Sequence, residues 1–302
     1  MIRLVYVHPD IKHESHRFWY VAFSSNVDHI LWIKNSDWTT RKIARFKPTH
    51  IHFGSRASPR ERWMPINKII KLRNLLPKVV ITSYRGGVGT EVDYLERLNK
   101  IIDCAFGATD SYRGQRWMPG GSSFNFWARP RQANPKQQLI FIGRAYKNDR
   151  AERAHLVKEV QSRFPLTVLG NNAWKNYGVK VASYTGTFEE NRLFYCTSLM
   201  GINFVSKKYL HLSKYFSSRL IHMMQTGLPC ITPYQPGMAQ VFRDKEDIFY
   251  YRNKHELFSL LRCYLNRENR NLLEVVGKRG KLVSRKYDVN NLVKQVLSIR
   301  RR

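Results

Sequence analysis

Residues 217–251 read SSRLIHMMQTGLPCITPYQPGMAQVFRDKEDIFYY. Leu220, Ile221, Met223 and Met224 repeat at helical spacing, and Gly227 stops the pattern. Cys230-Ile231-Thr232 then forms a short apolar strand, and Pro236-Gly237 turns the chain out of it. A helix, a glycine, a buried strand and a loop make one step of a parallel α/β sheet.

The same rhythm extends in both directions. Upstream, 139–142 is an apolar strand with Gly143 at its turn, 151–163 a helix, 166–169 a strand ending at Gly170, and 199–205 another strand. Downstream, 255–266, 271–287 and the basic 290–302 have helical spacing. The first hundred residues alternate likewise, with strands at 2–7, 29–33, 49–53, 79–83 and 103–107. Thr39 or Thr40 caps a helix that ends before Pro48, and 66–76 and 92–101 are helical. The expected fold is α/β, with two doubly wound Rossmann-like domains facing each other across a cleft. The Pro/Gly-rich stretch 118–135 reads as a linker. The division is then 1–134 for a first domain with its linker, 135–285 for a second, and 286–302 for a basic terminal helix.

At 302 residues the chain suits two such domains, and 43% apolar residues suffice for their cores, which excludes wholesale disorder. Lys and Arg total 52 against 22 acids, a net charge of +30. A field of that size points to a polyanionic partner, nucleic acid or an anionic membrane surface. The start, MIRLVYVHPD, lacks the pattern of a signal peptide, and the mostly apolar stretch 193–205 is too short to span a bilayer. Four scattered cysteines (Cys104, Cys196, Cys230, Cys263) read as reduced thiols in a cytoplasmic protein.

Chemistry concentrates around the opening stretch. Ser217, Ser218 and Arg219 begin a helix whose first N–H groups suit a phosphate. Gly237 and Met238 follow the next strand, where backbone amides suit another part of the same ligand. An ordinary capped helix and a turn would read the same from spacing alone.

Here the sequence resembles the C-terminal domain of GT-B glycosyltransferases, most closely the CgeB-like type. Arg219, His222, Gly227, Pro236, Gly237, Phe242 and Glu256-Leu257 fall at the places of that family's pattern. Phe141 to Tyr146 (FIGRAY) resembles its first strand and turn, Tyr184-Thr185-Gly186 its nucleotide-side loop, and Trp117 to Gly121 (WMPGG) its interdomain segment. The resemblance covers roughly the last two thirds of the chain. It implies a nucleotide-sugar donor, UDP-glucose by default, held by Gly143, Arg144, Tyr184, Gly186, Ser218, Arg219, His222, Gly237 and Met238. Two departures stand out. His222 occupies the place of the glutamate that usually holds the ribose hydroxyls, and Lys214 that of a second glutamate of retaining enzymes. There is no Asp-x-Asp motif, which fits a metal-independent reaction with Arg and Lys taking the leaving diphosphate. Lys207 and Lys208 are further basic candidates for that task.

Transfer to a hydroxyl needs a base. Candidates are His8 and Asp10 in the loop after the first strand, Glu91 after the Gly86-Gly87-Val88-Gly89 turn, and Asp110 after a later strand. A polar loop and helix caps are the plainer readings of the same residues. Between Arg41 and Arg85 stand twelve basic residues and one acid, Glu61. Arg41, Lys42, Arg45, Arg56, Arg60, Arg62 and Arg85 are the candidate phosphate contacts. Trp38, Phe46, Phe53, Trp63 and Tyr84 lie among them, as in proteins that stack bases on rings. The combination resembles phage enzymes that glycosylate hydroxymethylated pyrimidines such as 5-hydroxymethylcytosine. It implies a monomer that acts on double-stranded DNA with the target base flipped. The competing expectations are a membrane-surface glycosyltransferase of cell-surface polymers and a non-catalytic nucleic-acid-binding protein on a GT-B scaffold.

Overall fold

Leu4 and Tyr6 alternate with Val5 and Val7 in the first strand, and all four are buried. The alternation feeds two cores, one on each face of a sheet: Val5 and Val7 join Ile51, Phe53 and Ile81, while Leu4 and Tyr6 join Trp19, Phe23 and Phe106. A computed structural model describes residues 1–8, 14–55, 65–85, 92–108, 115–145, 151–183, 186–210, 212 and 214–301. The chain divides into two compact units, Met1–Ser123 with Tyr287–Arg302, and Phe124–Lys286.

In unit 1 the strands are β1 (Arg3–Val7), β2 (His29–Ile33), β3 (His50–Ser55), β4 (Val80–Arg85), β5 (Cys104–Gly107) and β6 (Gln115–Trp117). Between them run α1 (Glu14–Ser24), α2 (Thr40–Arg45), α3 (Ile66–Leu75) and α4 (Val92–Asn99). The sheet order is β2-β1-β3-β4-β5-β6, with every pairing parallel. Thr39 caps α2, its hydroxyl accepting from the Lys42 N–H at 3.1 Å.

Unit 2 starts with α5 (Phe124–Trp127), β7 (Gln137–Ile142), α6 (Ala151–Arg163), β8 (Leu166–Leu169), α7 (Phe188–Cys196) and β9 (Ser198–Ile202). It continues with α8 (Lys207–Leu210), α9 (Ser218–Gln225), β10 (Cys230–Pro233), α10 (Pro236–Ala239), β11 (Phe249–Tyr251), α11 (Lys254–Tyr264) and α12 (Arg270–Ser284). Its sheet order is β11-β10-β9-β7-β8, again all parallel. Gly227, at φ +78°, takes the left-handed conformation that closes α9.

The last helix, α13 (Val289–Leu297), belongs to unit 1, where Val289, Leu292, Val293 and Val296 pack with Trp19 and Phe23. Beyond it, Arg301 donates to Asp103 Oδ1 at 2.9 Å and to the Pro77 carbonyl at 2.8 Å. Asp103 is buried and also accepts from Arg73 at 2.7 Å and from the Ile81 N–H at 2.7 Å. The boundary between the units, Ser123/Phe124, falls within the stretch read as a linker, whose first half is packed and whose residues 132–134 are exposed. Met118 is buried in the core of unit 1, and Trp127 is fully buried in unit 2. Helix α7 and strands β6 and β11 went unread in the sequence. For α7 the signal was present, since Thr187 and Glu190 form the capping pattern, and the Thr187 hydroxyl accepts from the Glu190 N–H at 3.2 Å.

Candidate nucleotide-sugar site

The strand order of unit 2 reverses between β7 and β9, and ligands of such sheets bind in the crevice beyond the carboxyl ends at that point. Arg219, in the first turn of α9, reaches into it. Its Nη1 donates to the Ile142 carbonyl at 2.6 Å, and its Nε and Nη2 donate to Asn203 Oδ1 at 3.3 and 3.2 Å. Asn203 is fully buried and donates its Nδ2 to Thr232 Oγ1 at 3.0 Å. One guanidinium thereby ties together the ends of three adjacent strands, β7, β9 and β10. Its flat face lies over the Phe141 ring, 4.9 Å from the centroid.

Gly143 is required by this arrangement, because a Cβ at that position would run into the Arg219 guanidinium. The Gly143 carbonyl accepts from the Trp174 indole at 2.7 Å. Arg144 follows, exposed, its carbonyl accepting from Arg153 at 2.7 Å. Asn171 holds the next residue from both sides, accepting from the Ala145 N–H and donating to the Ala145 carbonyl, each at 2.8 Å. The loops after β7 and β8 are therefore fixed to one another.

Ser217 occupies the N-cap of α9 without making a capping bond, and its hydroxyl points to Asn203 Oδ1 at 3.3 Å. Ser218 is exposed at the start of that helix. Gly237 and Met238 are buried in the turn of α10, where the Met238 N–H donates to the Gln235 carbonyl at 3.0 Å. The expected free amide at Met238 is thus already used by the turn's own hydrogen bond. The Gly186 N–H is likewise engaged, donating to Glu190 at 3.1 Å. Tyr184 lies outside the described residues, as do the side chains of Lys207 and Lys208; Lys214 is half-buried.

His222, one turn into α9, is buried. Trp127 stacks on its ring at 4.2 Å and 13°, and Phe188 meets it edge-on at 5.3 Å. Burial, and then the Arg219 charge, lower its pKa to about 3, so the ring is neutral at pH 7 and offers one donor and one acceptor.

In unit 1 the corresponding reversal falls between β1 and β3. His8 stands just beyond β1, 5% exposed, its ring 5.4 Å from Tyr6 and its main-chain N–H donating to the Ile33 carbonyl at 3.1 Å. Asp10, Glu91 and Asp110 lie outside the described residues. On β3, opposite Tyr6, sequence reasoning missed His52. Its Nδ1 sits 2.8 Å from Thr82 Oγ1, and burial lowers its pKa to about 3. The His50-Ile51-His52 alternation on a strand was the available signal.

Arg41, Lys42 and Arg45 are exposed on α2 while Ile43 is buried. The backbone of Arg85 closes β4, and Arg56, Arg60 and Arg62 lie outside the described residues. The rings among these charges correct the stacking expectation. Trp38 and Phe53 are buried and meet edge to face at 5.4 Å, and Phe46 is half-buried beneath Arg3. Their alternation with charges is the in–out pattern of a core. Trp63 lies outside the described residues.

Residues 144–298 match the family described as glycosyl transferase-like, and the chain belongs to that family. No curated protein matches by sequence. Among solved structures, an α-glucosyltransferase in complex with UDP and a 13-mer DNA is similar with a TM-score of 0.70 and 12% identity, over 99% of this chain and 98% of that one. Sucrose-phosphate synthase from Thermosynechococcus elongatus is similar with a TM-score of 0.69 and 11% identity, over 98% of each chain. Anabaena HepE, in complex with UDP and glucose, has a TM-score of 0.65 and 8% identity, over 98% of each chain. The two parallel α/β units are those of the GT-B fold. Among the described residues, no helix is long and apolar enough to cross a membrane.

Proposed function

We propose that the chain transfers a sugar, glucose by default, from a UDP-sugar to a hydroxymethylated pyrimidine base of double-stranded DNA. The observation that carries the donor part is the Arg219 tie across Ile142, Asn203 and Thr232 at the β7/β9 reversal. It sets a cation and the start of α9 where a diphosphate binds in such sheets. In this reading Gly143, Arg144, Tyr184, Gly186, Ser218 and Gly237 surround the donor, with Met238 buried behind Gly237, and the neutral His222 ring faces its ribose. The reaction breaks the bond from sugar C1 to the diphosphate oxygen and joins C1 to the acceptor hydroxyl oxygen. The hydroxyl proton passes to one of His8, Asp10, Glu91 and Asp110. Arginine, rather than a metal ion, balances the leaving diphosphate.

The DNA part rests on the charge of +30 and on the exposed Arg41, Lys42 and Arg45. A similar fold bound to UDP and DNA supports it. The chain is proposed to act as a monomer in the cytoplasm, with the target base flipped from its stack. The test is incubation with labelled UDP-glucose and, in parallel, hydroxymethylcytosine DNA, ordinary DNA and lipid acceptors, with and without EDTA. Label in the modified DNA alone, unaffected by EDTA, is the expected result. Label in the lipid fraction would favour the membrane-surface enzyme instead. DNA binding without donor turnover would leave a nucleic-acid-binding protein.

A further inference from the structure

At the opposite, amino-terminal edge of the unit 2 sheet lies a cavity of about 390 Å³. Among the described residues its wall holds five cations, Arg129, Arg131, Arg270, Lys278 and Lys281, against one acid, Glu274. Leu199 and Leu273 add apolar surface to the same wall. It is separated from the Arg219 site by the length of β9, about 15 Å for five residues.

Five like charges around one concavity repel each other unless an anion joins them. The one acid is partly committed, since Glu274 lies 3.8 Å from Lys278. Among the described residues Arg131 hydrogen-bonds only to main chain: its Nη2 to the Ser198 carbonyl and to that of Leu199 at 3.1 Å, and its Nη1 to that of Gly227 at 3.3 Å. It pairs with no carboxylate among the described residues, and its Nε is buried without a partner. Lys281 spends one proton on the Ala128 carbonyl at 3.3 Å. Burial disfavours both charged forms, lowering the pKa of Arg131 and of Lys281. A bound anion would offset that cost.

We infer that this cavity binds the phosphate group of an organic anion, separately from the sugar donor. Arg270, Lys278 and Lys281 supply charge-assisted bonds to the phosphate, and Leu199 and Leu273 receive the apolar part of the ligand. The volume suits a ligand of nucleotide size, and the phosphate of a lipid headgroup has the same chemistry.

The test titrates AMP calorimetrically into the full chain with UDP in excess, with adenosine as the uncharged comparison. Vesicles of phosphatidylcholine with phosphatidic acid form the second arm. AMP binds and adenosine does not if the phosphate source is soluble; capture on the phosphatidic acid vesicles alone makes it a lipid. In either arm the double variant Arg270→Glu/Lys278→Glu weakens binding at least tenfold. Reversal of two exposed lysines elsewhere, Lys34→Glu/Lys100→Glu, changes it less than twofold. Equal weakening by both pairs, or binding in neither arm, overturns the proposal. A chain that fails to bind UDP leaves this readout intact, so the two proposals fail separately.

Discussion

Arg219 and Ile142 meet through a single 2.6 Å hydrogen bond, guanidinium to main-chain carbonyl, at the carboxyl end of β7. Its Nε and Nη2 donate to Asn203 Oδ1, so its position is set by the sheet before any ligand arrives. Preorganisation of this kind reduces the ordering cost of binding.

Arg219→Ala removes the tie and is expected to weaken UDP binding at least tenfold, about 1.4 kcal/mol or more. Folding stability falls by roughly 1.5–3 kcal/mol, because Asn203 loses a charged partner inside the sheet edge. Arg219→Lys should not rescue either property, since an ammonium cannot bridge Ile142 and Asn203 in the same fork. UDP titration and urea unfolding of both variants check this; unchanged UDP affinity in the alanine variant would remove the donor assignment.

Gly143→Ala places a methyl group against the Arg219 guanidinium. The expected result is weakened UDP binding with the far-ultraviolet spectrum of the native fold retained. A variant that binds UDP as the parent does would show that the guanidinium has room to move.

His52 and His222 have folded-state pKa values of about 3, well below the ordinary 6.5. The unfolded chain therefore binds more protons between these values, and stability falls as pH drops below 6.5. Each ring contributes a loss of roughly 1 kcal/mol per pH unit over that interval. Urea midpoints at pH 7.5, 6 and 5 measure it. His222→Phe, which keeps a ring against Trp127, should flatten the profile for unit 2, and an unchanged slope would contradict the neutral-ring account.

Duplex DNA should bind without donor, with an affinity that falls steeply as salt rises. Each lost phosphate contact reduces the slope of log affinity against log salt by about 0.9. The triple variant Arg41→Glu/Lys42→Glu/Arg45→Glu is thus expected to flatten it by up to about 2.7 while leaving UDP affinity unchanged. A parent protein with a shallow slope and tight binding to anionic vesicles would redirect the acceptor proposal to a membrane surface.

Asp103→Asn leaves Arg73 and Arg301 facing a neutral amide where both now meet a buried carboxylate. A loss of about 3–5 kcal/mol is expected in the unfolding of unit 1. Thermal unfolding followed by calorimetry, with Arg301→Ala as the milder comparison, separates the buried charge from the exposed end of the pair.

Local rules determined much of this protein. Period-two alternation marked β1, helical spacing and Gly227 delimited α9, and Thr39 announced α2, because each signal is contained within a few residues. The surplus of charge also needed no fold to be read. The basic residues from Arg41 to Arg45 did, because the sequence could not tell Trp38 and Phe53 as core from Trp38 and Phe53 as stacking platforms. Only the tertiary structure decided that Arg219 would meet Ile142 across 77 residues of chain, that Trp127 would cover His222, and that Arg301 would return to Asp103 across 198. These partners are chosen by strand order and register, which bring together side chains whose separation along the chain carries no trace of their meeting.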